Sequence, residues 1–373
     1  MKYDAIIVGG GFAGASAAYF LSRKAKVLLL EREAAPATQS SGRSAEQYTV
    51  GITADLMRAM GVASRSFLDA PPPGFCERPL LSPRGSLTVG RGDQRQRLQA
   101  LADRITGSGA EAHIVGRKES LDLFPALRAD GVDLGVFEAG ASDIDGGLLL
   151  QSYLRGAKAN GAEVLTDAAA ESIRWTGRHW AVTTMKGEFS GSLLINAAGA
   201  WVDVVAGLAG VSPLGIRPMR RTAFTFPAPD GVSVANWPHV CNVDYRWYLK
   251  PESSTFMGSL AEEVLVAPGD VYPDDLDVAQ GVDNIERETT LNVSRLISSW
   301  AGLRNFVGDR NPLLGRAPDR PEFIWVAGQG GCGVLTSPAM GESVAAITTG
   351  SRLPLEVLER GVTEQALSPG RLG

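Results

Sequence analysis

The segment from Asp4 to Glu31 constrains this chain more than any other. Asp4-Ala-Ile-Ile-Val8 is a short apolar run ending in glycines, the signature of a buried strand. Ala13 to Arg23 is alanine-rich with Tyr19, Phe20 and Leu21, a helix, and Lys26-Val-Leu-Leu-Leu30 is a second buried strand. A β-α-β unit of this kind implies parallel strands with both sheet faces covered. Between the first strand and the helix, Gly9-Gly10-Gly11-Phe12-Ala13-Gly14 fits G-x-G-x-x-G. In that pattern Gly9 permits the tight turn, Gly11 lets the backbone approach a pyrophosphate, and Gly14 lets the helix pack close to the strand. The anion then sits on the helix N-terminus, where unpaired N–H groups face it. Glu31 closes the second strand, about 20 residues on, where a carboxylate accepts from ribose hydroxyls. Strand, helix, second strand and acid together predict a dinucleotide site. A glycine turn in a purely structural unit needs no acid there.

The αβ texture returns further along. Gly147 to Gly161 has helical spacing and an Asn-Gly stop, followed by the strand Glu163-Val-Leu165. Ser192-Leu-Leu-Ile195 leads into Asn196-Ala-Ala-Gly-Ala-Trp201, and Glu322 to Ala327 runs into Gly328-Gln-Gly-Gly-Cys-Gly333 and a helix from Ser337 to Thr348. The stretch from about Pro71 to Gly140 is instead proline-punctuated, with a helix near Arg95. Residues 215 to 300 hold alternating runs such as Arg221 to Phe226 and Arg246 to Lys250, which favour antiparallel strands. The chain of 373 residues is too long for one compact core. The expected fold is α/β: a Rossmann-like dinucleotide-binding domain from 1–78, 141–214 and 302–373, with a discontinuous α+β substrate domain from 79–140 and 215–301 carrying a mainly antiparallel sheet.

Charge and cysteine usage narrow the partners. A net charge of -5 argues against nucleic acid, which leaves a basic footprint. No run reaches the ~18 apolar residues of a membrane helix. Met1 leads directly into the first strand without a signal-peptide pattern, so a cytoplasmic enzyme is the expectation. Cys76, Cys241 and Cys332 match no metal or redox spacing, and His113, His179 and His239 are scattered. No metal site is expected, and the chemistry should rest on a bound organic cofactor.

The glycine loop alone does not choose FAD over NAD. The C-terminal element does: a strand followed by Gly330-Gly331-Cys332-Gly333-Val334-Leu335-Thr336 places flexible backbone and a new helix N-terminus far from the first loop in sequence. That arrangement suits the negative charge of a reduced flavin, whereas a nicotinamide needs no second anchor. An NAD-dependent dehydrogenase is the alternative from another class. An aromatic hydroxylase would carry its Gly-Asp segment just before the last helix, and here Gly308-Asp309 lies upstream of the final strand.

With these motifs in order, the chain resembles the FAD-dependent D-amino acid oxidase and glycine oxidase superfamily, and looks most like bacterial D-amino acid dehydrogenases of the D-arginine dehydrogenase type. The likeness spans nearly the whole chain. It rests on Ser41-Gly-Arg-Ser-Ala45, Pro79 to Arg84, Asn196 to Trp201, Arg220 to Phe224, Tyr248-Leu-Lys-Pro251, Ala301-Gly-Leu-Arg304 and Gly330 to Gly333. It implies that Ala13, Glu31, Arg32 and the loop of Ser40, Ser41, Gly42, Arg43, Ser44, Ala45 and Gln47 hold FAD. Ala170 meets the adenine, Gly199 belongs to the same cofactor wall, and Gly330 to Thr336 run beside the isoalloxazine. Arg221, Tyr248 and Arg304 then gather around a substrate carboxylate, a role that charge-assisted, partly bidentate bonds make reasonable.

The departures matter as well. The arginine-preferring relatives carry histidine, tyrosine and glutamate where this chain has Gln47, Ile52 and Ser86. A cationic substrate side chain loses its partner, and an unpaired charge is costly to desolvate. The expected reaction is oxidation of the C–N bond of a small amino acid with a neutral or apolar side group. Hydride passes to flavin N5, and water splits the imine to an oxo acid and an amine. Glycine-oxidase-like attack on an N-substituted glycine, releasing an amine and glyoxylate, is the alternative within that chemistry. Oxygen or a quinone accepts the electrons.

Overall fold

The computed structural model of the protein describes residues 2–51 and 54–372. Its first sheet has eight strands built around the N-terminal unit. Lys2–Val8 pairs in parallel with Val27–Leu30 on one side and with Gly187–Asn196 on the other. Glu163–Leu165 extends the parallel run beyond Val27–Leu30, and Arg320–Ala327 pairs in parallel with the end of Gly187–Asn196. All four residues of Val27–Leu30 are buried, as expected of a parallel strand covered on both faces. The helices Phe12–Leu21, Gly146–Ala159 and Gly333–Thr349 cover one face; the short helix Val202–Ala209 lies on the other. The C-terminal helix begins four residues before its expected start, at Gly333, so its first turn belongs to the glycine-rich loop.

The second sheet has nine strands and joins two stretches distant in sequence. Ser86–Gly90, Leu134–Glu138 and Ala112–Gly116 come from the first, and the strands between Arg217 and Phe306 from the second. The seam is a parallel pairing of Ser86–Gly90 with His239–Asn242; every other pairing in this sheet is antiparallel. Between the alternating runs of residues 215 to 300, Asp275–Glu288 is a helix. Asp274 caps it by accepting from the N–H groups of Leu276 and Asp277, and Val278, Gly281 and Ile285 face the sheet at helical spacing.

This sheet positions the arginines. In the antiparallel pair of Arg217–Pro227 and Ser298–Phe306, Arg221 lies opposite Gly302 and Arg304 opposite Met219. Residues two apart on a strand share a face, so both guanidinium groups leave the same side of the sheet as diagonal neighbours. Tyr248, opposite Ser259, and Met257 join Ala223 and Cys241 in a small buried cluster beside them.

Candidate active site

A single elongated cavity of about 370 Å³ runs from the glycine loop of the first sheet to the arginine face of the second. At one end, the backbone has no room for side chains. Gly9 holds φ at 108°, and a Cβ there would lie 2.5 Å from the carbonyl oxygen of Ala197. A Cβ on Gly14 would come within 1.8 Å of the Gly9 carbonyl oxygen, so the helix start tolerates nothing larger. The Glu31 carboxylate accepts from the Gly10 N–H at 2.7 Å and the Glu33 N–H at 2.9 Å, which fixes it at the cavity edge. Arg32 stacks over Trp201 at 4.0 Å, and Ala168, Ala169 and Ala170 close the small apolar wall nearby. The shape and donors suit an adenosine: an acid for the ribose hydroxyls, an apolar slot for the base and a helix N-terminus for the pyrophosphate.

Midway, the loop from Ser40 to Gln47 forms the cavity floor. The Ser41 hydroxyl accepts from the Phe12 N–H at 3.1 Å, tying this loop to the glycine turn. Arg43 lines the cavity, yet its side chain is already engaged by the carbonyls of Thr38, Val271 and Ala301 and by Asp270 at 2.5 Å. It acts as a strap between the two sheets. Lys250 donates to the Ala45 carbonyl at 2.9 Å. Behind Gln47, its strand partner Asp143 accepts from His239 at 2.9 Å and from Arg84, with Lys250 at 3.6 Å. Burial alone would raise the Asp143 pKa, but the His239 hydrogen bond and the two cations outweigh it and hold the carboxyl down at about 2. Burial pushes His239 below its usual value, which keeps the ring neutral at physiological pH. Three buried polar atoms on the cavity lining, Gln47 Nε2, Asn305 Oδ1 and Gln329 Nε2, have no partner within the described chain. Orphans of this kind are costly unless a bound group satisfies them, and the polar edge of an isoalloxazine offers both donors and acceptors.

At the far end stand the arginines. Arg221 is buried; its Nε donates to the Glu262 carbonyl at 2.5 Å, its Nη2 lies 3.6 Å from Glu263, and its Nη1 has no partner. Burial and then repulsion from Arg304 lower its pKa, although a guanidinium stays charged at any relevant pH. Arg304 is half-buried and has no carboxylate of the described chain within ion-pair distance. Burial opposes its charge, but the facing phenols of Tyr245 and Tyr248 favour it and its pKa is raised overall. A Cβ on Gly331 would meet the Arg304 guanidinium at 2.8 Å, so the glycine lets the cation lie flat against the turn. Cys332 is kept a neutral thiol, its pKa pushed by burial up to about 11.

The structure therefore brings Gln47, Arg221, Tyr248 and Arg304 onto one cavity with most of the expected cofactor residues. Three do not line it. Gly14 supports the turn from behind, Gly42 is exposed and packed against the Ala37 carbonyl, and Thr336 is fully buried with its hydroxyl bonded to the Cys332 carbonyl at 2.9 Å. Ser86 also misses the cavity. It is buried in its strand between His239 and Glu138, so its replacement of an acid bears on packing rather than on a substrate contact. Ile52 lies outside the described residues. The sequence reading missed Tyr245, which stacks on Tyr248 with ring centroids 5.8 Å apart and underlies Arg221 at 5.7 Å. Its backbone φ of 52° is a left-handed conformation, uncommon for an aromatic residue and typical of a residue held in place at a site. No motif announces it.

Comparison with known proteins bears on the fold and the family. Glycine oxidase of Bacillus licheniformis is 23% identical over 381 residues, covering 96% of both chains. The glycine oxidase structure from Geobacillus kaustophilus superposes with a TM-score of 0.83 at 21% identity, over 94% of this chain and 95% of that one. L-alpha-glycerophosphate oxidase from Mycoplasma pneumoniae, with FAD bound, superposes with a TM-score of 0.85 at 20% identity over the same 94% and 95%. Those likenesses share a fold across different substrates, so they speak for the architecture. The family pattern described as FAD dependent oxidoreductase matches residues 4–347. On that match the chain belongs to the FAD dependent oxidoreductase (DAO) family, and FAD is its cofactor.

Proposed function

We propose that the protein oxidises the C–N bond of a small amino acid whose side group is not cationic. The observation that carries this reading is the pair Arg221 and Arg304. Two repelling guanidinium groups face one cavity; one has an unpaired buried nitrogen, and the other has no carboxylate partner among the described residues. Buried charges of one sign are retained where an opposite charge arrives to pair them. A substrate carboxylate meets that need with bidentate geometry. Tyr248 and Tyr245 supply phenolic donors beside it, and burial raises the Tyr245 pKa so that its proton stays on at neutral pH.

Bound FAD supplies the acceptor for a hydride leaving the α-carbon. The chain itself supplies position: holding the carboxylate fixes the C–H bond, and orientation of this kind accounts for much of the barrier reduction in such reactions. Neither Cys332, whose thiol is held neutral, nor Gln47, which does not titrate, stands ready as a base. The amine therefore reacts as the free base, and kcat/KM should rise with pH through the amine's own ionisation. Relatives named glycine oxidase and sarcosine dehydrogenase support a substrate that is either a primary amino acid or an N-substituted glycine.

The test is an anaerobic flavin-bleaching screen. D-amino acids and N-alkyl glycines should bleach the purified enzyme's flavin, while the matching carboxamides, lacking the anion, should not. Bleaching by glycerol phosphate but by none of the amines would remove the C–N assignment.

A further inference from the structure

We infer that the enzyme prefers substrates carrying a second carboxylate at the end distal to the oxidised bond. This rests on the amine-oxidation reading above and names its substrate class more narrowly. The wall formed by Tyr245, Arg304, Gly331 and Cys332 has a second side. There a larger cavity of about 1020 Å³ opens from the arginine clamp toward solvent. Beyond Arg304 its lining holds five more arginines against three carboxylates, and Asp244 pairs Arg97 from just outside, which leaves Arg304 and Arg104 unmatched.

The pairing pattern locates that surplus. Arg58 is matched by Asp55 at 2.6 Å, Arg310 by both oxygens of Glu263 at 2.9 Å, and Arg371 by Asp309 at 2.8 Å. All three acids belong to the lining and neutralise their partners there. Arg97 is matched as well, by Asp244 just outside the lining. Arg104, exposed on the helix Arg95–Gly107, forms no ion pair with any described residue. Both project from one helix onto the opening.

A solvated arginine on a convex surface would carry no such meaning. Here the excess charge lines a concavity leading to the clamp, in a chain whose net charge is -5. Concave, low-dielectric walls focus the field of their charges, so this opening attracts anions and repels cations locally against the sign of the whole molecule. With one carboxylate held by Arg221 and Arg304, a second on the same substrate extends into that field. A neutral side group gains nothing there, and an ammonium is repelled. The expectation of a neutral distal group thus gives way to an anionic one.

The experiment compares matched triplets in anaerobic flavin reduction: D-glutamate, D-glutamine and D-ornithine, and N-(carboxymethyl)glycine, N-propylglycine and N-(2-aminoethyl)glycine. In the triplet that reduces the flavin, the dicarboxylate should exceed its neutral partner about tenfold in limiting rate over apparent Kd, with the cation slowest. Raising salt from about 20 to about 300 mM should shrink that preference. In the Arg104→Gln variant, the ratio of dicarboxylate to neutral substrate should fall about two- to fivefold, since one exposed charge contributes modestly. Melting of the variant checks that it folds. A neutral substrate that equals or beats its dicarboxylate overturns this inference and leaves amine oxidation standing, as does a full preference surviving in the Arg104→Gln variant. Failure of all six compounds to reduce the flavin overturns the amine-oxidation reading itself, and this inference with it.

Discussion

Arg304→Met should leave FAD in place and cripple flavin reduction by about thirty- to several-thousand-fold in limiting rate over Kd. Methionine keeps much of the stem that packs against Gly331 but removes the charge, and Gly331 imposes no clash on the shorter tip. The loss is large because Arg221 alone cannot complete the clamp. One of its nitrogens is committed to the Glu262 carbonyl and another is drawn toward Glu263, leaving Nη1. A carboxylate held at one point pivots, and the C–H bond loses its aim at the cofactor. The effect should fall on both affinity and rate, because orientation is needed in the transition state as well as in the complex. Rapid mixing of variant and substrate without oxygen, followed by the fading of flavin absorbance, measures both. An Arg304→Met enzyme reduced at the parent rate would move the carboxylate away from these arginines.

Glu31→Ala should weaken FAD retention by about 2–4 kcal/mol, some thirty- to a thousandfold in Kd. Two losses add. The carboxylate no longer accepts from ribose hydroxyls, and the N–H groups of Gly10 and Glu33 lose the acceptor that organises the turn. The second is a preorganisation effect, because Gly10 sits inside the phosphate loop itself. Alanine leaves those donors to water, so the loop closes on the cofactor only at binding. Ultrafiltration of the apo-protein against graded FAD reads the constant directly. Measured with FAD in excess, flavin reduction should change far less than affinity, since Glu31 lies at the opposite end of the cavity from Arg304. Unchanged FAD affinity would place the ribose contact on another residue.

What the sequence made legible was whatever depends on local order. The run from Asp4 to Glu31 announces strand, turn, helix and acid within one contiguous segment, and its geometry follows from backbone sterics alone. The parallel register of Lys2–Val8 with Gly187–Asn196 is long-range, yet the short apolar runs Asp4 to Val8 and Ser192 to Ile195 foretold that the paired ends of both would be buried. The arginine clamp was reachable only through the resemblance, because strands carrying Arg221 and Arg304 look individually like ordinary antiparallel strands. Tyr245 was beyond reach. Its place under Arg221 depends on a left-handed turn between two strands, and nothing in Asp244-Tyr245-Arg246 specifies that conformation. Ser86 failed for a different reason: it shares a strand face with Thr88, but only Thr88, two residues further along, reaches the outer cavity, and position along a strand is not legible in its alternation. The helix Asp275–Glu288 was missed because its acidic first turn and short buried stripe sit within a stretch dominated by strands.

The reaction itself is tested most directly by a single-turnover mass balance. Enzyme with oxidised FAD, mixed without oxygen with its best bleaching substrate, should yield one oxo acid and one amine for each flavin reduced. For an N-substituted glycine, the pair should be glyoxylate and the matching primary amine. Full flavin reduction with the carbon–nitrogen bond intact in the product would contradict the account.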